Sequence, residues 1–262
     1  MSALIHPTAV INSQARLHPT VRVEPYAVIG SQVSIGANTV VGSHAIIDGL
    51  TQIGQDNQIF PGAAIGLEPQ DLKYQGANSQ VIIGDRNRIR EYVTINRATN
   101  EGEATTLGSD NLLMAYSHVG HNCAIGDEVI IANSVAIAGH VNIESMAIIS
   151  GVLGIHQFVR IGRMAMVGGM SRISRDVPPY MMVEGNPAKV RSLNFTGLKR
   201  RGFSQDEIRE LKKAFSYLYL KKMSMQDAIA QLDSLSDDRH VRYLQHFIQL
   251  SLNDGRRGLI GK

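Results

Sequence analysis

Along most of the chain, an aliphatic residue returns at every sixth position. The series runs from Ile5 to Ile65, from Ile83 to Ile95, and from Leu107 to Ile173. A helix cannot use this spacing, because at about 100° per residue successive sixth positions point in different directions. Extended chain can use it, because even spacings share one face of a strand. The pattern therefore predicts very short strands, separated by turns, whose aliphatic side chains stack in a common interior.

A hexapeptide repeat of this kind is typical of parallel β-helices. Three hexads give a coil of about 18 residues that rises by roughly 4.8 Å, which is one strand spacing. We predict an all-β fold, a left-handed parallel β-helix of hexapeptide repeats over residues 1–190, followed by a small C-terminal α-helical domain over residues 191–262. The left hand rests on the resemblance of the repeat to the hexapeptide-repeat transferases, since general crossover rules favour a right hand.

Two stretches interrupt the repeat and are predicted to be loops, residues 67–82 and residues 97–106. Long loops inside a regular solenoid usually have a function. The first loop is the stronger candidate, because it combines Asp71, Lys73 and Tyr74 with a glycine that suits a tight turn. For either loop, the plainer interpretation is a tolerated insertion.

After Asp176 the repeat stops and the composition changes. Ser204 and Glu207 have the spacing of a helix capping box. Apolar residues at helical spacing then predict three helices, which begin near Ser204, Ser224 and Asp238. Residues 255–258 are predicted to form a basic tail.

The composition excludes several functions. A net charge of +3 over 262 residues is too small to indicate nucleic-acid binding, and the absence of tryptophan argues against a platform for stacking bases. A single cysteine excludes an intrachain disulfide. No basic start precedes a long apolar run, so we expect no signal peptide, no membrane span and a cytoplasmic location. We also expect no cofactor.

Four histidines gather where the repeat is uninterrupted: His118, His121, His140 and His156. His121 and His140 differ by one 18-residue coil plus one residue, and His140 and His156 differ by one coil minus two. These three should therefore lie near one corner on successive coils, about 5 Å apart per coil. His118 lies three residues before His121.

The residues alone leave three interpretations of this corner open. The histidines are structural, or three of them bind zinc, or a neutral imidazole takes a proton from a sugar hydroxyl that attacks a thioester. No Ser or Cys beside a base is apparent, which favours direct transfer over a covalent intermediate. Gly139 would let a backbone N–H approach a developing oxyanion. Arg200 and Arg201 offer paired donors to a diphosphate or an acidic protein.

Longer motifs extend the resemblance over most of the chain. They include QDLKY at 70–74, HVGH at 118–121, AGHV at 138–141, HQF at 156–158 and GLKRRGF at 197–203. Together they resemble the UDP-N-acetylglucosamine O-acyltransferase family. The resemblance implies transfer of an (R)-3-hydroxyacyl chain from acyl carrier protein to the 3-hydroxyl of UDP-N-acetylglucosamine, the first step of lipid A biosynthesis. It also implies a homotrimer with active sites between neighbouring subunits.

The resemblance assigns roles to residues as well. It implies that His121 is the general base and that Gly139 is the backbone oxyanion donor. The positions that match substrate contacts are Gln70, Asp71, Lys73, His118, His140, His156, Gln157, Gly169, Asn194, Arg200 and Arg201. Gly169 falls where the family sets acyl length, and a glycine there leaves the channel open.

Three positions depart from the family pattern. Asn122 follows the base where Asp is usual, Thr196 stands where Glu is frequent, and Asn96 replaces a loop histidine. An amide carbonyl can orient an imidazole but cannot stabilise its protonated form as a charge would. Either another group orients His121, or its basicity is lower. Met170 beside Gly169 leaves the acyl length open.

Two further hexapeptide-repeat enzymes are the alternatives. One is UDP-3-O-acylglucosamine N-acyltransferase, and the other is a zinc enzyme that resembles carbonic anhydrase. A structural solenoid without activity is the non-enzymatic alternative, but it does not explain the clustered histidines.

Overall fold

The computed structural model describes residues 4–221, 223–233, 235, 238–252 and 257–261. Within these residues, short strands form three sheets, which are the three faces of a prism. The chain visits the first, second and third face in turn and then begins the next coil. The fold is thus a parallel β-helix of hexapeptide repeats with helices at its C-terminal end, as the sequence predicted.

The first face contains Val10–Ile11, Val28–Ile29, Ile46–Ile47, Ala64–Leu67, Thr94–Asn96, His118–Val119, Ala136–Ile137, Gly154–Ile155 and Arg172–Ile173. The second face contains Arg16–Leu17, Val33–Ile35, Leu50–Ile53, Gln80–Ile83, Ala104–Leu107, Ala124–Ile125, Asn142–Ile143 and Arg160–Ile161. The third face contains Arg22–Val23, Val40–Val41, Gln58–Ile59, Arg88–Ile89, Leu112–Leu113, Ile130–Ile131, Ile148–Ile149, Met166–Val167, Met181–Gly185 and Ala188–Leu193.

The three edges of the prism are named by the faces they join. The site edge joins the first face to the second, the ladder edge joins the second to the third, and the open edge joins the third back to the first. Residues that pair on one face are usually one coil apart in sequence, as Val10 and Val28 are. On the first face it grows to 30 residues from Ala64 to Thr94 and to 24 residues from Thr94 to His118. Each predicted loop lies between a strand of the first face and the next strand of the second face, so both leave the prism at the site edge.

The interior is the stack of aliphatic side chains that the six-residue repeat predicts. On the first face Ile29, Ile47, Ile65 and Ile95 are all 1% exposed or less. Burial of each such side chain contributes about 1.5–3 kcal/mol, so the prism is stabilised coil by coil.

Buried asparagines stack along the ladder edge. The Asn57 Oδ1 accepts from the backbone and side-chain N–H groups of Asn87, and the Asn87 Oδ1 accepts in the same way from Asn111, at 2.9–3.0 Å. The Asn111 Oδ1 accepts from the backbone of Val129 at 2.7 Å. Each amide oxygen thus accepts a hydrogen bond from the backbone of the next coil, so the polar groups of this buried edge are paired.

The six-residue repeat ends at Asp176, but the parallel pairing of the third face continues for one more strand. Met181–Gly185 pairs parallel with Met166–Val167 and then antiparallel with Ala188–Leu193. The Asp176 backbone also pairs with Leu259, which ties the C-terminal segment to the prism. The division at residue 190 stays a prediction, and the last strand extends to Leu193.

The helices are α1 (Phe195–Arg200), α2 (Gln205–Phe215), α3 (Met225–Asp233) and α4 (Arg239–Leu252), and a π-helical turn, Ser216–Leu220, follows α2. The predicted capping box of Ser204 and Glu207 is confirmed. Among the described residues, no helix combines the length and the apolar character needed to cross a bilayer. The predicted basic tail lies partly outside the described residues, which resume at Arg257.

Candidate active site

The predicted histidine corner is the site edge of the prism. His121, His140 and His156 all lie in turns of this edge on three successive coils. The rings of His121 and His140 meet edge to face, with their centroids 5.1 Å apart. His140 in turn stacks on Phe158 at 4.7 Å. Because both loops leave the prism at the same edge, they bring their side chains to these histidines.

His121 is held by its Nδ1 atom. This residue is only 5% exposed. Its Nδ1 lies 2.9 Å from the Thr99 Oγ1 and 3.0 Å from the Asn122 Oδ1. On the other side of the ring, Nε2 lies 3.7 Å from a carboxylate oxygen of Asp71. Two anchors on Nδ1 thus leave Nε2 directed at the first loop.

Asn122 is itself held from several sides by the second loop and its neighbours. Its Oδ1 accepts from the Thr99 backbone N–H at 3.0 Å, and its Nδ2 donates to the Glu103 carboxylate at 2.6 Å. Its own backbone N–H donates to the Thr105 hydroxyl at 2.8 Å. Asn122 and Thr99 therefore both hold the His121 ring through its Nδ1.

Glycine is the only residue type that fits beside this ring at position 139. A Cβ atom at Gly139 would lie 2.3 Å from the His121 Nε2, well inside van der Waals contact. Among the described residues, no acceptor takes the Gly139 N–H. A free N–H next to the Nε2 of a buried imidazole suits a developing oxyanion.

Two further histidines near His121 have pKa values below the ordinary value for histidine. Burial, followed by the neighbouring His121, lowers the pKa of His118 below its ordinary value. The same two causes lower the pKa of His140. Glu103 and Asp71 raise it by smaller amounts, and Lys73 lowers it slightly further. His118 also shares a hydrogen bond of 2.7 Å between its Nδ1 and the Thr94 hydroxyl.

An apolar groove of about 420 Å³ runs over the outside of the first face, next to the site edge. Ala136, Ala138 and Gly154 line it, and His118 and His156 border it. The register stacks His118, Ala136 and Gly154 one above another, so two small residues clear the space.

The other predicted substrate-contact residues of the prism and the first loop lie in three different places. His156 and Gln157 are exposed at the site edge, on the coil beyond His140. Gly169 is exposed at the open edge, on the far side of the first face. In the first loop, Gln70 and Lys73 are exposed, and the Lys73 backbone N–H donates to the Asp71 Oδ1 at 3.0 Å.

The three predicted residues after the prism lie elsewhere in this chain. Asn194 caps α1 through the Gly197 N–H and donates to the Met164 carbonyl at 3.0 Å. Arg201 pairs with Glu128, and Arg200 is exposed in α1. Met164 and Glu128 belong to the ladder edge, so one chain does not bring these residues to His121.

Sequence reasoning missed Thr99 and Glu103. Both lie in the second loop, which carried no recognisable motif, and both reach their partners across 19 to 22 residues. Within the described residues, no group of three or more His, Cys, Asp or Glu side chains is placed to hold a metal ion. The geometry therefore gives the zinc interpretation no support.

The prism of hexapeptide repeats, with a buried imidazole beside a free backbone N–H on one edge, is typical of a hexapeptide-repeat transferase. The family described as bacterial transferase hexapeptide (six repeats) matches residues 14–49 and 104–139. The family described as Udp N-acetylglucosamine O-acyltransferase, domain 2, matches residues 176–260.

Similar proteins narrow this class to one family. A relative from Gloeothece citriformis, named acyl-[acyl-carrier-protein]--UDP-N-acetylglucosamine O-acyltransferase, is 63% identical over 80% of this chain and 76% of its own length. A relative of the same name from Burkholderia orbicola is 48% identical over 98% of both chains. The solved UDP-N-acetylglucosamine acyltransferase of Francisella novicida superimposes with a TM-score of 0.93 at 37% identity, over 98% of this chain and 94% of that one. The chain therefore belongs to the UDP-N-acetylglucosamine O-acyltransferase family.

Proposed function

We propose that this protein transfers an (R)-3-hydroxyacyl chain from acyl carrier protein to the 3-hydroxyl of UDP-N-acetylglucosamine. This reaction is the first step of lipid A biosynthesis. The names of the relatives from Gloeothece citriformis and Burkholderia orbicola support an O-acyltransferase with these two substrates. No observation favours the N-acyltransferase alternative.

One observation carries the proposal: the buried His121 is anchored at Nδ1 and directs Nε2 toward Asp71 and Gly139. In this geometry Nε2 takes the proton of the sugar 3-hydroxyl while its oxygen attacks the thioester carbonyl. The Gly139 N–H stabilises the oxyanion. The intermediate then expels the thiolate of the carrier, which takes the proton back from the imidazolium. No covalent enzyme intermediate is needed.

The substrate contacts are assigned from the family resemblance and from their positions at the site. Asp71 approaches the base from the first loop, and with its exposed neighbours Gln70 and Lys73 it is proposed to hold the sugar nucleotide. The apolar groove beside His118 and His156 is proposed to take the acyl chain, because small residues clear it. His140, Gln157 and Gly169 are proposed to contact the substrates along the same face, with Gly169 leaving room for a long chain.

A homotrimer would complete this site. Asn194, Arg200 and Arg201 lie away from His121 in their own subunit, so they meet a substrate at the site edge only if a neighbour supplies them. The open edge also exposes apolar side chains, since Tyr92, Tyr116, Val152 and Met170 are all more than half exposed. We expect a mass of three times 28.6 kDa by light scattering. The cytoplasmic location stays a prediction.

The test is His121→Ala, compared with His18→Ala as a matched control at an exposed histidine of the ladder edge. We expect His121→Ala to lose transfer by about a thousandfold or more. His18→Ala should transfer at the wild-type rate, and both variants should keep the mass of the assembly. Wild-type turnover in a folded His121→Ala protein would refute the proposal.

A further inference from the structure

The second loop places a carboxylate behind the residue that orients the base. The Glu103 Oε2 accepts from the Asn122 Nδ2 at 2.6 Å and from the Asn100 Nδ2 at 3.0 Å. The Asn122 Oδ1 then faces the His121 Nδ1 at 3.0 Å. A negative charge is therefore connected to the imidazole through one amide.

Two partners fix which way this amide points. A backbone N–H can only donate, so the atom that meets the Thr99 N–H must be the oxygen of Asn122. A carboxylate can only accept, so the atom that meets Glu103 must be the nitrogen. Glu103 and the Thr99 backbone thus prevent the amide from turning over.

The fixed amide in turn sets the state of the imidazole. The Asn122 Oδ1 has no proton, so its contact with the His121 Nδ1 is a hydrogen bond only when Nδ1 carries the proton, and the Thr99 hydroxyl on the same nitrogen then accepts as well. In the neutral ring the Nε2 is then the bare, basic nitrogen, which is the state that a general base requires. A carboxylate on the amide nitrogen also increases the negative charge on the amide oxygen, as hydrogen-bond chains polarise one another.

We infer that Glu103 is a positioning residue that acts on the base through Asn122. It holds the amide in the orientation that selects the Nδ1–H tautomer of His121, and it stabilises the imidazolium formed during transfer. It thereby replaces the aspartate that many family members carry directly after the base. This inference rests on the proposed function, since it concerns the same base.

Other charged and titratable groups face the same ring and must be held constant. Asp71 lies on its Nε2 side, His118 and His140 lie beside it, and Lys73 acts on His140 from the first loop. None of these residues is replaced in a Glu103 variant, but Glu103 also raises the pKa of His140, and the double variant below addresses that route. A change in pH dependence after such a substitution therefore reports on Glu103.

The experiment compares Glu103→Gln with Glu101→Gln. Glu101 lies in the same loop, and its carboxylate accepts from the Asn78 backbone N–H at 2.7 Å, not from Asn122. We expect Glu103→Gln to lower kcat about three- to tenfold, with little change in KM for the sugar nucleotide. The acid limb of its pH–rate profile should move to lower pH, because the imidazolium is less stabilised without the carboxylate. Glu101→Gln should match the wild-type protein in both respects.

We call the path from Glu103 through Asn122 to His121 the relay. A double variant separates the relay from a general effect of charge. Glu103→Gln combined with Asn122→Asp places the carboxylate directly on Nδ1, and the side-chain amide introduced at position 103 can donate to it. We expect kcat and the acid limb to return to wild-type values or beyond. If Glu103 acted through His140, the double variant would stay as slow as Glu103→Gln, and the inference would be wrong.

The inference can fail while the proposed function stands. An active wild-type protein whose Glu103→Gln variant has the same rates and pH profile as Glu101→Gln would overturn the relay alone. Full transfer in His121→Ala would instead overturn the function on which the relay rests.

Discussion

The ladder edge and the site edge are built from the same six-residue repeat, yet the polar side chains of the two edges take their hydrogen-bond partners from different parts of the chain. On the ladder edge, Asn57, Asn87 and Asn111 satisfy one another from coil to coil. On the site edge, Thr99 and Glu103 reach in from a loop and hold Asn122 and His121. Within the described part of the chain, the His121 Nε2 is left without a hydrogen-bond partner and faces the Asp71 carboxylate at 3.7 Å. A repeat therefore becomes a reactive site where loops, and not the next coil, supply the hydrogen-bond partners.

After that of His121→Ala, the largest expected effect is also at the site edge, from Gly139→Ala. Its Cβ would lie 2.3 Å from the His121 Nε2 and would displace either the ring or the backbone N–H. We expect kcat to fall by about 10²–10³, the range for losing an oxyanion donor. Gly261→Ala is the control, because a Cβ there meets no atom within 4 Å. Steady-state kinetics and thermal unfolding of both variants check this, and a Gly139→Ala protein as fast as the control would show that the close approach is unnecessary.

The ladder edge should respond in the opposite way, losing stability and not rate. Asn87→Ala removes two acceptor contacts and two donor contacts at 2.9–3.0 Å in a buried position. We expect a loss of about 2–3 kcal/mol in the free energy of unfolding, because the partners left behind are unsatisfied. Urea unfolding at fixed protein concentration measures it, with kcat/KM unchanged at low temperature. Asn142→Ala, at a half-buried asparagine of the second face, should be nearly neutral.

A smaller effect is expected at the open edge, from Gly169→Met. A Cβ at Gly169 meets the Gly151 carbonyl oxygen at 3.3 Å, so a side chain can be placed there with a slight shift of its neighbour. If the acyl chain ends at this position, the longer side chain should shift preference toward shorter chains. Each excluded methylene is worth about 0.8 kcal/mol, or roughly fourfold in kcat/KM. Mass spectrometry of products from mixed hydroxyacyl carriers checks this, and an unchanged product distribution would place the end of the chain elsewhere.

The smallest effect concerns acid stability. Burial lowers the pKa of His118 in the folded chain, whereas the unfolded chain keeps a value near ~6.5. The unfolded state then binds more protons as pH falls, so this contribution to stability is present above about pH 6.5 and is lost below it. We expect the stability of His118→Gln to fall less than that of the wild-type protein between pH 7.5 and 5.5, measured as urea midpoints. An identical pH dependence in the variant would show that His118 titrates normally.

The sequence predicted the prism and the position of the histidines because both follow from one period. Ile29, Ile47 and Ile65 repeat at coil spacing, so interior, faces and corners are all set by counting. The same counting brings His140 to His121. It could not find Thr99 and Glu103, since a loop has no period. Nor could it show that Asn194 caps a helix, which depends on how the chain leaves the prism.

The central claim is that the His121 Nε2 acts on the attacking hydroxyl and the Gly139 N–H on the carbonyl oxygen of the same reacting centre at the site edge. A crystal structure of the protein with its product, the 3-O-acylated sugar nucleotide, tests it most directly. We predict that the ester oxygen on the sugar lies in contact with Nε2, at about 3–3.5 Å because neither atom carries a proton in the product complex. The acyl carbonyl oxygen should lie at hydrogen-bonding distance from the Gly139 nitrogen. A product whose ester lies beyond hydrogen-bond reach of both atoms would contradict the claim.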